Sequence, residues 1–346
     1  MNDIISAYYS FLSLLDRIKK YTEKTYVKNN GLQSIIDNYQ GENKELLDYY
    51  NSIKESQIQY NAIIITLYGA YENYIDNISK CYLTYIFNNC DPLTNIPVNI
   101  RDTYRKNIGD LLSNPQRFGF NIEAAENAAK KFCMYLDANY SNIEYDVLLN
   151  HSGNLKSSQL EDYLRSLSLL ENSNLFDSYF IEKYYYEYDF YDNKDFETKR
   201  RRKSADLFKP LNDLVESRNN VAHTGEDSSR ISTRTIIHST IPFLKVLSRV
   251  VLECILNTAV SLTSVESKFT NIAVFDNRIL CTNNKGHNIK TGGVVIYRHN
   301  ETIKNAIIRR IELNKKSIDE TGKESINVGL ELDNKIDPKD IIIDII

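Results

Sequence analysis

The stretch Glu216-Ser217-Arg218-Asn219-Asn220-Val221-Ala222-His223-Thr224-Gly225 holds the residues of this chain best suited to chemistry on a phosphodiester. An arginine offers phosphate oxygens a bidentate fork and stays charged at every working pH. A histidine can pass protons near neutral pH. Together, Arg218 and His223 could stabilise a phosphate and move its protons without a metal, and the residue after the arginine, Asn219, is polar. His223 is one of only five histidines in 346 residues. The spacing alone is weak evidence, because an arginine followed within a turn or two by a histidine arises by chance about once in a chain of this composition. A plainer reading stands beside the chemical one. His223 could simply cap the last carbonyls of a helix that Gly225 stops.

Helix geometry limits the chemical reading. A five-residue step turns through about 140°, so Arg218 and His223 do not share a face of a regular helix. They converge only if the arginine curls back or the last turn unwinds, and Gly225 marks where unwinding could occur. The helix C-terminus would favour the histidine cation and Arg218 would oppose it. The sequence leaves that balance open.

Two further groups could serve the same site. Glu72 lies four residues after Tyr68, at the edge of an apolar stripe, where it could orient His223 or pair with Arg218; a boundary glutamate that meets solvent is the competing reading. Asp76 is expected further round and exposed. Lys199, Arg200, Arg201, Arg202 and Lys203 form a run of five basic residues. The run could hold RNA phosphates, or it could pair as a solvated linker with the acidic segment 171–197 before it. That segment has eight acidic and two basic residues, and could also act as an autoinhibitory cover. His151 sits in a polar loop, His238 is expected in or near a helical core, and His287 and His299 flank strands. With no H-x-x-x-H, C-x-x-C or D-x-D spacing, no structural metal is expected. No phosphate-binding glycine loop of the Walker or dinucleotide type occurs.

Long helices must position these residues. Only 12 glycines and six prolines interrupt the chain, and five of the glycines follow residue 270. Ile64, Tyr68, Tyr71, Ile75, Ile78, Tyr82 and Tyr85 step alternately by four and three, which draws one apolar stripe along a helix over 60–87. Weaker patterns mark helices over 3–21 and 44–60. Others are expected over 102–114, 121–139, 157–170 (with Ser157 as a possible cap), 204–225 with Pro210 near its start, and about 230–263. From 271 the period changes. Two or three strands follow, with turns at Asn283–Gly286 and at Gly292-Gly293, then a strand within 324–336 and a final β-rich IIIDII.

Composition bounds the rest. At a net charge of -4 the chain is not globally basic, so nucleic acid would have to meet a local patch. Five scattered cysteines are read as reduced thiols, most of them in the core, of a cytoplasmic protein. The N-terminus lacks the pattern of a signal peptide, and no membrane span is expected, since Lys245, Arg249 and Glu253 stripe the most apolar helix. The abundance of tyrosine (25, with no tryptophan) is taken as compositional bias rather than a functional array.

The stretch ESRNNVAHTG resembles the R-N-x-x-x-H signature of the HEPN superfamily, whose members are compact all-α domains. LYGAYENYI, residues 67–75, resembles the long-helix segment of a HEPN subgroup found in defence and toxin–antitoxin loci. The resemblance extends over roughly 1–265 and is carried by these two segments. It implies a metal-independent endoribonuclease, needing no cofactor, in which a ribose 2′-hydroxyl attacks the neighbouring phosphate. Arg218, Asn219 and His223 correspond to the signature positions, and the usual assembly is a homodimer around one RNA cleft. The expected architecture is therefore mainly α. A HEPN-like multi-helix bundle over 1–265, with an acidic and basic insert at 171–203, precedes a small β-rich (α+β) domain over 271–346. The expected function is a ribonuclease of a toxin or antiphage system, with an antitoxin or other defence partner bound through the C-terminal domain. The competing class is a non-catalytic helical interaction module. A metal-dependent activity, which EDTA would abolish, is a third reading.

Overall fold

A computed structural model describes residues 1–39, 44–53, 57–90, 96–137, 143–151, 153–170, 208–225, 230–263, 267, 269–300 and 302–346. The helices are α1 (Asn2–Asp37), α2 (Lys44–Ile53), α3 (Gln57–Asn89), α4 (Val98–Ser113), α5 (Ile122–Leu136), α6 (Tyr145–Leu148), α7 (Ser157–Ser166), α8 (Lys209–Thr224) and α9 (Ile241–Thr263). Seven strands follow: β1 (Asn271–Phe275), β2 (Ile279–Asn283), β3 (Val294–His299), β4 (Thr302–Leu313), β5 (Lys316–Ile318), β6 (Asn327–Leu332) and β7 (Ile341–Ile345). The expected order of a helical region and then an antiparallel sheet is observed. The acidic segment 171–197 and the basic run 199–203 lie outside the described residues.

The chain forms two compact units: residues 7–79 with 149–250, and residues 1–6 with 80–148 and 251–346. The first contains residues 216–225, with Arg218 and His223. Its core lies along α3, where Ile64, Tyr68, Tyr71, Ile75 and Ile78 of the predicted stripe are buried, together with Tyr60, Ile63, Leu67 and Tyr74. Phe11 stacks on Tyr74 at 4.3 Å. Phe208, just before α8, meets Phe243 edge-on.

Helix ends depart from expectation where backbone chemistry decides. Pro210 lies in the first turn of α8, where a missing N–H costs nothing, and it marks the start of the described helix at Lys209; residues 204–207 lie outside the described residues. Ser157 caps nothing: Lys156 holds the N-cap position of α7, and the Ser157 amide donates to Asn212 Oδ1 of α8 instead. The long last helix is interrupted. One turn at Thr233–Thr235 leads into a π-helical turn, Ile236–Thr240, and only then into α9. Pro242 explains the shift in register, since it has no N–H for the carbonyl four residues back. His238 lies in that π turn and is exposed, not in the core, while Ile236 and Ile237 take the inward positions.

In the second unit, Tyr104, Phe132 and Tyr135 pack together between α4 and α5. The sheet has the order β1-β2-β6-β4-β3-β7, with β5 paired to β4, and every pairing is antiparallel. Leu280, Val295, Tyr297, Ile308, Ile311 and Leu330 belong to its buried core. The predicted turns occur, and Gly293 is fixed by close approach: a Cβ there would stand 2.7 Å from the Ile346 carbonyl oxygen. The longest strand, β4, was not expected. A bulge between Ile308 and Arg310 breaks its two-residue alternation and hides it in a charged stretch. Cys90 and Cys254 are buried, but Cys133 is exposed and Cys81 and Cys281 are half-buried, so fewer thiols lie in the core than expected.

Gly225 ends α8 at φ 71°, with its N–H bonded to the Val221 carbonyl and open space where a Cβ would point. Gly225→Ala should therefore cost about 1 kcal/mol from backbone strain alone. Gly69→Ala, at an exposed position inside α3 with equal room, should stabilise by about 0.5–1 kcal/mol. Shifts of opposite sign in the urea unfolding midpoint check the pair.

Candidate active site

Helices α3 and α8 run antiparallel, side by side. Asn61 Nδ2 donates to the Gly225 carbonyl at 2.8 Å, just past the end of α8. Seven residues further along α3, Tyr68 lies beneath the guanidinium of Arg218, seven residues before Gly225, with the ring centroid 5.0 Å away. Equal steps in opposite directions give the two helices about 10 Å of shared length. Beyond Gly225, the Ile231 amide donates to the Tyr60 hydroxyl at 3.0 Å, and the Arg230 guanidinium covers the Tyr60 ring at 4.2 Å. The end of α8 is thus anchored to the start of α3 from both sides.

Arg218 is held on three sides. Its Nη1 donates to Asn154 Oδ1 at 3.0 Å and to Asn219 Oδ1 at 3.3 Å, and its face rests on Tyr68. No described residue accepts from Nε or Nη2. Neither nitrogen is a buried atom lacking a partner, so this edge meets solvent. It is the edge whose parallel N–H groups match two oxygens of a phosphate.

Tyr68 links that arginine to a carboxylate and a loop. Its hydroxyl accepts from the Leu155 amide at 3.3 Å and donates to Glu72 Oε1 at 3.1 Å. Burial, above all, pushes the phenol up to about 12; the Glu72 charge adds to this, while the Leu155 N–H and Arg218 oppose it. The hydroxyl is therefore a neutral donor to Glu72 at any working pH. The Tyr71 hydroxyl donates to the Leu155 carbonyl at 3.1 Å, so one residue of the 151–155 loop is gripped by two tyrosines of α3.

The four expected site residues are not all brought together. Arg218 and Asn219 touch each other, and Glu72 joins them through Tyr68 rather than through an ion pair. His223 stands apart: it is exposed and has no hydrogen-bond or ion-pair partner among the described residues. Helix α8 stays regular to Thr224, so the last turn does not unwind, and the arginine turns toward Tyr68 and Asn154 instead of curling back. Glu72 does not touch His223. Asp76, expected to be exposed, is half-exposed and bonded to His151 Nε2 at 3.2 Å. Sequence reasoning missed Tyr68 as a polar group, Asn154 and His151. The i, i+4, i+8 spacing of Tyr68, Glu72 and Asp76 was the available signal, because it places all three on one side of α3.

Tyr68→Phe keeps the ring under Arg218 but leaves the Leu155 amide without an acceptor and Glu72 without its donor. The expected cost is about 1–3 kcal/mol. It would be read as a lower urea midpoint with an unchanged m-value.

The comparisons with known proteins concern this same region. The sequence model of the family described as RiboL-PSP-HEPN matches residues 37–257, well over half of the chain, including α3, the 151–155 loop and α8. No curated protein and no solved structure shows a significant match. Among the described residues, no helix is long and apolar enough to cross a membrane. An Arg-Asn-x-x-x-His helix end packed against a long tyrosine-rich helix, within a segment that the family model covers throughout, makes this chain a member of the RiboL-PSP-HEPN family of HEPN domains.

Proposed function

We propose that the chain is a metal-independent endoribonuclease acting as the effector of a toxin or antiphage system. The observation that carries this reading is the setting of Arg218. A guanidinium held by two asparagine oxygens and a tyrosine ring presents its Nε–Nη2 edge, already oriented, to solvent. Preorganised cationic donors stabilise a phosphorane-like transition state without reorganising as charge builds. In the reaction, the ribose 2′-oxygen forms a bond to phosphorus and the bond from phosphorus to the 5′-oxygen breaks. The 2′-hydroxyl loses its proton and the leaving oxygen gains one, giving a 2′,3′-cyclic phosphate and a 5′-hydroxyl. His223, exposed and unpartnered, is the group in this stretch suited to carry those protons. Asn219 and Glu72 keep Arg218 in place, Asn219 directly and Glu72 through Tyr68. A second copy of the chain would supply the His223 that a single regular helix keeps turned away from Arg218, which makes a homodimer the working assembly. Lys199, Arg200, Arg201, Arg202 and Lys203 would add phosphate contacts, and the C-terminal sheet would bind an antitoxin or trigger.

The separation of Arg218 and His223 on one helix also favours a second reading. In it, the domain binds RNA or a partner through Arg218 and cleaves nothing. One experiment separates the two. Purified protein is incubated with total RNA in EDTA, and product ends are mapped. Wild type should release 2′,3′-cyclic phosphate ends. His223→Ala and Arg218→Ala should each lose about 10²- to 10⁴-fold in rate. Equal cleavage by wild type and His223→Ala, or none by either, removes the nuclease assignment to these residues.

A further inference from the structure

Beside the Arg218 site lies a histidine that the proposed reaction does not use. His151 begins the loop that passes over α3, and both of its ring nitrogens face acceptors. Nε2 is 3.2 Å from Asp76 Oδ1, and Nδ1 is 3.2 Å from the Gly153 carbonyl oxygen. A neutral imidazole carries one N–H and can satisfy only one of these; only the doubly protonated ring donates to both. The ring also packs edge-on against Tyr163 of α7, with centroids 5.4 Å apart. Its side chain is only 15% exposed, while that of Asp76 is half-exposed.

The residues that follow make this consequential. Asn154 supplies one of the two oxygens that hold Arg218 Nη1, and the Leu155 amide and carbonyl bond to Tyr68 and Tyr71. We propose that His151 is a positioning residue for the Arg218 site: its imidazolium bridges Asp76 and the Gly153 carbonyl, and so clamps to α3 the loop that carries Asn154 to Arg218. A role in proton transfer is disfavoured by the same geometry. Both nitrogens are engaged, and Asp76 lies eight residues, about 12 Å, along α3 from Tyr68, on the side away from Gly225 and the end of α8 that carries His223.

The clamp depends on pH. The groups that face the ring are Asp76 and Glu72 of α3, the Gly153 carbonyl and the Tyr163 phenol, which burial keeps neutral. The bond to Asp76 raises the histidine above its ordinary value of 6.5; burial opposes this, and the Asp76 and Glu72 charges and the Gly153 carbonyl support it. A raised value means that the cation is favoured by folding. The clamp is complete below pH 6.5 and is lost as pH rises through the raised value. Loss of the second proton forces an acceptor of the ring against either the Asp76 carboxylate or the Gly153 carbonyl.

The test uses the full chain with ¹³C-labelled histidine rings. His151 should titrate above its ordinary value of 6.5, and Asp76→Asn should lower its midpoint. Amide exchange of the 149–156 segment, corrected for the intrinsic rate, should accelerate as His151 loses its proton. These readouts need no RNA cleavage. A midpoint at or below the ordinary 6.5, no response to Asp76→Asn, or exchange indifferent to the titration overturns the clamp. Its importance for positioning rests on the ribonuclease reading and has its own arm. The decline of cleavage toward alkaline pH should flatten in His151→Gln, and an unaltered limb overturns the positioning role. If wild type cleaves no RNA at any pH, the ribonuclease reading fails, while the titration and exchange results still decide the clamp.

Discussion

The setting of Arg218 rests on how α3 spends its tyrosine hydroxyls. Each ring of Tyr60, Tyr68, Tyr71 and Tyr74 is buried, and each hydroxyl reaches the edge of the core to meet a backbone group far away in sequence. Tyr60 accepts from Ile231, Tyr68 from Leu155, and Tyr71 and Tyr74 donate to the carbonyls of Leu155 and Ser248. A buried backbone N–H or C=O left without a partner costs more than the net value of the bond it would make. These four phenols therefore do more than fill volume. They determine where the 151–155 loop, the lead into α9 and α9 itself can lie. A phenylalanine row would bury similar area and leave those segments unplaced.

Electrostatics at Arg218 follows from the same row. The cation sits on the face of Tyr68, whose hydroxyl is tied to Glu72, so the carboxylate lies near the arginine without forming an ion pair with it. Direct pairing would occupy the fork that a phosphate needs. Neutral asparagine oxygens hold the other nitrogen instead, fixing the guanidinium without cancelling its charge. His223 is treated in the opposite way. It lies in the last turn of α8 and is exposed.

The C-terminal sheet follows different local rules. Its turns use positive φ outside glycine, as at Asn314 (52°) and Lys315 (64°) between β4 and β5, where asparagine is the residue that tolerates it. Asn284 is fully buried and bonds to the His287 carbonyl, Thr321 Oγ1 and the Ile326 amide, so one side chain organises the crossing between β2, β6 and the loop before β3. Asn257 and Glu253 of α9 reach the Ile303 amide and Asn305 of β4. These bonds join polar side chains to backbone or to each other over distances in sequence that no local pattern encodes.

Local chemistry was visible in the residues themselves. The apolar stripe of α3, the proline at the start of α8, the glycine that ends it, the change of period after residue 270 and the Arg-Asn-x-x-x-His stretch all depend on neighbours within a turn or two, and sequence spacing reports such neighbours directly. Strand β4 escaped because a bulge destroys the alternation by which a strand is recognised. The tyrosines of α3 could be seen as buried, but their backbone partners could not be seen, because these lie 84 to 174 residues away. For the same reason, only the tertiary structure could show that Arg218 turns toward Asn154 rather than His223, and that Asp76 is matched by His151. Residue types and spacing determined which groups were available for phosphate chemistry. Long-range packing decided which of them meet, because a side chain 64 residues away in sequence, Asn154, competes for the arginine that the local helix left free.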